Sequence, residues 1–349
     1  MGLLHGVGEF FALDIGTNAM RLVQLNGDRK RGWQLMKYAF VEIDQKVMLD
    51  DSEAGMKKKG DVIKDAIAQA GIKTKKVALG MPAGRTFTAI VEVPMADKKT
   101  VENSVKYQAD QYVPMPIDEA EFDSVVLGES PNDPTKVEVL ISSTAKKYAE
   151  DRMSMLEEIG LDVIAQEPEP IAMARALVPA GVKEAQMLID LGERSTDLVV
   201  MYQGVPRLVR TIPGGLAVLV KAVTSILSVR EDQARRFILK FGLAQDKLEG
   251  QVYRAMEAPL GNFATELTKS VRFFQSRYQM APVEKIVLSG FAGVIPFIAE
   301  FMEAQTNVPT VQGNPWQMVQ MSAQQRQALA EVASEFSVAV GLAERGNNG

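Results

Sequence analysis

Two aspartates in matching surroundings have the most to offer chemically. Asp14 lies in FALDIGTNAMRLVQL, and Asp190, 176 positions later, lies in MLIDLGERSTDLVVM. On the shared apolar-Asp-apolar-Gly core, Gly16 falls on Gly192, Leu22 on Leu198 and Val23 on Val199. Each copy reads as a β-hairpin: an apolar run ending at the carboxylate, a short polar turn with glycine, then a second alternating run. A strand-end carboxylate offers hard oxygen, and glycine lets backbone N–H groups come close to an anion. The pair of hairpins predicts a phosphate clamp, with Asp14 and Asp190 holding magnesium, which keeps several of its waters. Thr17, Asn18, Ser195 and Thr196 would offer hydroxyl, amide and backbone donors. A strand-end aspartate also bonds its own turn backbone, and that reading fits either copy taken alone.

Further glycines fall where strands run into helices. Gly214 and Gly215, in RTIPGGLAVLV, could bind an anion through unpaired N–H groups at a helix start, or could make a plain tight turn. Gly290 and Gly293, in EKIVLSGFAGVIPFIAEFM, could underlie a flat base or serve helix–sheet packing. Glu167 and Glu169, in QEPEP, are catalytic candidates for orienting a water against a phosphate, although carboxylates in a proline-rich turn are ordinarily just exposed. Neither a P-loop nor a G-x-G-x-x-G after a strand is present, so phosphate binding must use the two-hairpin scheme.

The totals narrow the classes. With 349 residues and 46% hydrophobic content the chain can build two cores. A net charge of -5 argues against a general nucleic-acid partner. Lys57, Lys58, Lys59 and Lys73, Lys75, Lys76 read as solvated loop and helix ends. There is no cysteine and one histidine, His5, which removes disulfides, thiol catalysis, a Ser-His-Asp apparatus and a His-based metal site. No stretch reaches the roughly 20 apolar residues of a membrane span, and the first ten residues lack the layout of an export signal. A cytoplasmic location is expected, with attachment to a membrane through a partner left open.

These residues need elements to position them. After the first hairpin a third strand spans 33–41, a helix 61–70 and a strand ends at Pro82. Residues 82–132 read as a small α+β insertion, in which Asp97 caps a helix running through Val113. KVEVLISSTA resumes the main sheet, a helix over 146–159 stops at Gly160, and LDVIAQEPEPIAMARAL gives a strand, a turn and a helix. The second half repeats the plan with VPRLVRTI, a long helical region through Phe241, a helix over 261–278 and the strand EKIVLSG. A helix from Ser322 through Ala343 closes the chain. Domain I is thus 1–180 with the helix 322–345 returning to it, and domain II is 181–321. In the insertion, Tyr107, Tyr112, Val113 and Met115 are candidates for a peptide groove, against the plainer reading that they pack the small domain.

In order and spacing these motifs resemble the PilM family of type IV pilus assembly, actin-fold proteins related to the cell-division protein FtsA. LDIGTNAMRLVQL is similar to the first phosphate motif and LIDLGERSTDLVV to the second. QEPEPIAMARAL and EFSVAVGLAER resemble the connecting segments, RTIPGG the turn after the third strand, and IVLSGFAG the adenosine motif. The resemblance implies an α/β fold of the actin-like (ribonuclease H-like) type, with two domains and a small inserted α+β subdomain. It further implies ATP and magnesium between the domains, with Gly290, Phe291 and Ala292 near the base. The implied partner is the N-terminal peptide of a PilN-type inner-membrane protein, docked at the insertion and linked to an inner-membrane alignment complex and pilus motor proteins. The expected role is a scaffold peripherally associated with the inner membrane, with slow or absent hydrolysis and a homo-oligomer open. A phosphotransferase of the actin-like kinase superfamily and an FtsA-like filament are the alternatives. The chain departs from the family pattern at three places: Glu193 and Arg194 put an ion pair where a run of glycines is usual, Phe291 interrupts neighbouring glycines, and Arg235 and Ile238 stand near residues that relatives turn toward ribose and base.

Overall fold

The first apolar run, Phe11–Ile15, forms strand β1 and is buried along its whole length, as expected of a strand with both faces covered. It continues through two antiparallel turns into β2 (Ala19–Asp28) and β3 (Gly32–Glu42). A helix over Glu53–Ala70, capped by Ser52 and stopped by Gly71 in the left-handed region, then returns the chain to β4 (Lys76–Met81), parallel to β1. In this computed structural model residues 9–345 are described, so His5 and most of the leader lie outside the described residues.

Three strands follow that do not join this sheet. β5 (Thr86–Pro94), β6 (Ala120–Glu129) and β7 (Lys136–Ala145) make a sheet of their own with β7 in the middle. One face carries Val93, Val137, Val139 and Ile141, and the helix Lys98–Tyr107 covers it with Val101 and Val105. KVEVLISSTA therefore belongs to the insertion and not to the main sheet, and the inserted sheet extends to Ala145. Its alternation satisfies either placement, and pairing with β5 and β6 on both edges decides between them. Asp97 does cap the helix, accepting from Thr100 N, but the helix ends at Tyr107 instead of continuing to Val113.

β8 (Asp162–Pro168) returns to the main sheet beside β4. The second half then forms β9 (Ala185–Leu191), β10 (Ser195–Tyr202), β11 (Val205–Pro213), β12 (Val283–Gly290) and β13 (Thr310–Gln312). A short β14 (Val319–Gln320) edges onto β3. The orders β3-β2-β1-β4-β8 and β11-β10-β9-β12-β13 are the same plan built twice, with two antiparallel pairings followed by two parallel ones. The duplicated sequence motif is thus the visible part of a duplicated architecture.

The chain divides into two compact units. One takes in residues through Ala176, Pro315–Ala328 and Phe336 onward, and the other takes Leu177–Asn314 and Leu329–Glu335. Each has its own core, around Phe11, Leu13, Leu22 and Ile63 in the first and around Met187, Ile189, Leu198 and Phe274 in the second. The expected closing helix is broken into Ala323–Leu329, a 3-10 turn Ala333–Phe336 and Ser337–Ala343. The break has a physical cause: Ser334 turns into the second unit, where its hydroxyl donates to Gly290 O and its carbonyl accepts from Ser289 Oγ. The long helical region after Gly215 is likewise two helices, Leu216–Leu227 and Glu231–Phe241, parted at Ser228 in the left-handed region. The next helix begins earlier than expected and spans Gln251–Arg277. Lys59 is not solvated: it is fully buried, bonds Asp51 at 3.1 Å, and burial lowers its pKa.

Candidate functional site

In the first unit the β1–β2 turn is closed by Gly16 N donating to Ala19 O at 3.0 Å, with Thr17 and Asn18 half-buried at the tip. Asp14 is 4% exposed and sits opposite Arg21 in the antiparallel register. Residues directly opposite share a face of the sheet, and Arg21 NH1 reaches Asp14 Oδ2 at 3.4 Å. The guanidinium also lies 5.3 Å from the centre of the Phe40 ring. The carboxylate of the first hairpin is thus accompanied by a positive charge from its own sheet.

The second hairpin reverses that arrangement. Asp190 is half-buried, and the residue opposite it on β10 is Asp197, which lies 176 positions after Arg21. The row continues to Ser289 on β12 and Thr211 on β11. Asp197 accepts from Thr211 Oγ1 at 2.8 Å, yet burial outweighs that bond and pushes its carboxyl up to about 6. Two carboxylates side by side favour a cation far more than one carboxylate beside an arginine. Sequence reasoning missed Asp197, and comparing the seventh residue after each repeat aspartate would have singled it out. Among the described residues no cluster of three or more His, Cys, Asp or Glu side chains stands ready to enclose a metal. Protein oxygens alone therefore make no cage there, and a two-carboxylate set suits magnesium that keeps its waters.

Several amides of the glycine turns are already taken. Gly192 N donates to Ser195 O and Gly214 N to Arg194 O, at 3.0 and 3.1 Å. The first amides of the helix Leu216–Leu227 are also taken, Leu216 N by Gly192 O, Ala217 N by Glu193 O and Val218 N by Gly215 O. Gly215 is needed because any side chain there would run into the carbonyls of Gly192 and Glu193. The expected anion site at Gly214 and Gly215 is therefore replaced by a hairpin turn seated on the helix start. Thr196 is fully buried and its hydroxyl donates to Gly214 O at 2.8 Å, while Ser195 stays half-buried at the strand end. Gly290, in the left-handed region, leaves room for the Asp190 carboxylate, which lies where a side chain would otherwise project. Phe291 and Ala292 are buried in the core of this unit.

Glu193, Phe291 and Arg235, one from each departure from the family pattern, come together in space. Glu193 pairs with Arg235 and not with Arg194, which is exposed. The Arg235 NH2–Glu193 Oε1 distance is 2.6 Å, and the guanidinium lies 5.8 Å from the centre of the Phe291 ring. The Glu193 side chain is 2% exposed, and its Oε2 is buried with no hydrogen-bond partner among the described residues.

Glu167 and Glu169 are separated by their surroundings. Glu167 is wholly buried and takes Arg175 on both oxygens, at 2.5 and 3.0 Å, with Arg345 at 3.2 Å. Burial raises its pKa and the two arginines more than offset this, so the carboxyl is held below its usual range. A carboxylate so enclosed by two arginines ties β8 to the closing helix as a structural ion pair, which argues against it as a catalytic candidate. Glu169 is half-buried in the first turn of the helix Glu169–Leu177. Nearby Glu344 is 6% exposed, and burial pushes it up to about 7 against the pull of Arg175 and Arg29.

In the insertion, the groove candidates fall into two groups. Tyr107 is 89% exposed at the end of its helix, whereas Val113 is 6% exposed. Tyr112 packs against the subdomain core and donates its hydroxyl to Gln108 at 3.2 Å. Val113 is thus buried and offers little surface, while Met115 is half-buried.

The family model described as type IV pilus assembly protein PilM matches residues 12–347. Among solved structures, the PilM-PilN type IV pilus biogenesis complex is similar at 23% identity and a TM-score of 0.81, covering 96% of this chain and 98% of that one. The ethanolamine utilization protein EutJ from Carboxydothermus hydrogenoformans aligns at 14% identity and a TM-score of 0.58, covering 96% and 89%. MreB 5 of Spiroplasma citri bound to AMPPNP aligns at 12% identity and a TM-score of 0.54, covering 96% and 95%. At these identities the structural likenesses establish an actin-like fold, and the match over residues 12–347 places the chain in the PilM family of type IV pilus assembly proteins.

Proposed function

We propose that this chain is the actin-like scaffold of type IV pilus assembly that captures the N-terminal tail of a PilN-type inner-membrane protein on its inserted subdomain. The observation that carries this reading is the match to the PilM family over nearly the whole chain, together with the likeness to the PilM-PilN type IV pilus biogenesis complex. No helix among the described residues is long and apolar enough to cross a membrane. Attachment to the inner membrane then runs through the partner, and the same scaffold hands that attachment on to the motor proteins of the pilus.

The nucleotide part of the proposal is ATP with magnesium, as the AMPPNP carried by the MreB relative supports. Asp190 and Asp197 would face the hydrated cation. Asp14, Gly16, Thr17 and Asn18 would form the first phosphate motif, and Ser195 would assist at the second. The bound group supplies a multivalent ionic tie and no covalent chemistry. Turnover is slow or absent because Glu167 is locked between Arg175 and Arg345.

Tyr107 supplies the test. An exposed tyrosine at a docking surface commonly contributes enough that its truncation weakens binding by roughly fivefold or more. Fluorescence anisotropy of a labelled PilN-type N-terminal peptide should show that loss in Tyr107→Ala, with an unchanged melting temperature. Equal affinity in the variant and the parent would move the docking surface away from this helix end.

A further inference from the structure

We infer that Arg235, positioned by Glu193, holds the phosphate of a bound nucleotide in the second unit, in place of the helix-start amides expected there. The inference rests on the nucleotide reading of the proposed function and names the group that does the holding.

Three observations carry it. The amides of Gly192, Gly214, Leu216, Ala217 and Val218 all have carbonyl partners, so the helix start has lost its usual anion donors. A side chain can take over the part those amides would have played, and Arg235 is a cation held in position beside the hairpin turn. It is 31% exposed, spends NH2 on Glu193, and has further N–H donors to offer from one planar fork.

Arg235 is also built into place. A carboxylate that is 2% exposed grips one side of the fork, and the Phe291 ring lies 5.8 Å from its centre. Glu193 comes from the hairpin turn after Asp190 and Phe291 from the turn after β12, so one guanidinium ties together the two turns assigned to phosphate and base. The buried Glu193 Oε2 has no hydrogen-bond partner among the described residues, which is costly for a carboxylate. Such a group persists as part of a working arrangement more readily than as a plain structural tie. Glu193 touches no ligand in this scheme and is a positioning residue, whereas Arg235 is the contact. Because a guanidinium recognises phosphoryl oxygen through charge and paired donors, the contact favours nucleotides over nucleosides and weakens with salt.

Calorimetric titration of the full chain with ADP and with adenosine, in the parent and in Arg235→Ala, Arg235→Lys and Glu193→Gln, tests this. ADP affinity should fall at least tenfold in Arg235→Ala and be poorly restored by lysine. Glu193→Gln should lose three- to tenfold, and adenosine affinity should hold within twofold throughout. Removing Arg235 strands a buried charge, so the double variant Glu193→Gln/Arg235→Ala provides a folded control and should show the same selective loss. If the parent and both Arg235→Ala forms bind ADP alike, the inference is overturned while the nucleotide reading stands. Equal losses for ADP and adenosine also overturn it, since the contact would then be to the base or ribose. Failure of the parent to bind either compound overturns the nucleotide reading itself.

Discussion

Asp197 carries a negative charge in the place where the first repeat carries Arg21. Its carboxyl ionises near 3.8 in an unfolded chain and near 6 in the folded unit, because burial disfavours the charge. The folded state therefore holds the proton more tightly than the unfolded one. Stability falls as pH rises from about 4 to about 6, and the penalty persists above that. Asp197→Asn should gain about 1–3 kcal/mol at pH 7, an advantage that fades as pH drops to 4, when denaturant unfolding is followed at both values. A constant difference across that range would show that the residue acts through packing. The aspartates Asp14 and Asp190 were legible because their neighbours repeat in type. Their partners were not, since substituting Asp197 for Arg21 reverses the charge and breaks the likeness just where the chemistry differs.

At the scale of elements, the seat between the hairpin turn after β9 and the helix Leu216–Leu227 is held by amide–carbonyl bonds and by the absence of a side chain at Gly215. Gly215→Ala should push the turn off the helix start and cost roughly 1–3 kcal/mol, as overpacked sites do. A lower melting temperature checks this, and a rise would mean that the seat relaxes freely. Glycines followed by a helix looked alike for an anion site and for a tight turn, because the two differ only in which carbonyls reach the amides. Those carbonyls belong to Gly192 and Glu193, some 20 positions earlier, a distance over which local pattern carries no information. The strand β7 escaped placement for a similar reason: alternation fixes which face is apolar, and only the pairing with β5 and β6 fixes the sheet.

For the molecule as a whole, the tail that resists description as a single helix has consequences for how the protein can be divided. The chain passes from one unit to the other after Ala176, Asn314, Ala328 and Glu335, so neither unit is one continuous stretch. The first lacks its buried helix Ser337–Ala343 until that segment arrives, and the second until then lacks the Ser334 hydroxyl on Gly290. Fragments cut at residue 176 should therefore stay poorly folded when made apart and recover a cooperative melt only when produced together. Independent folding of the first fragment would show that its sheet does not need the closing helix. On a ribosome the same wiring means that the first-made half stays open until residues 336–345 have been made, so the segment from Pro315 onward acts as a stitch whose arrival decides when a newborn chain becomes competent to assemble.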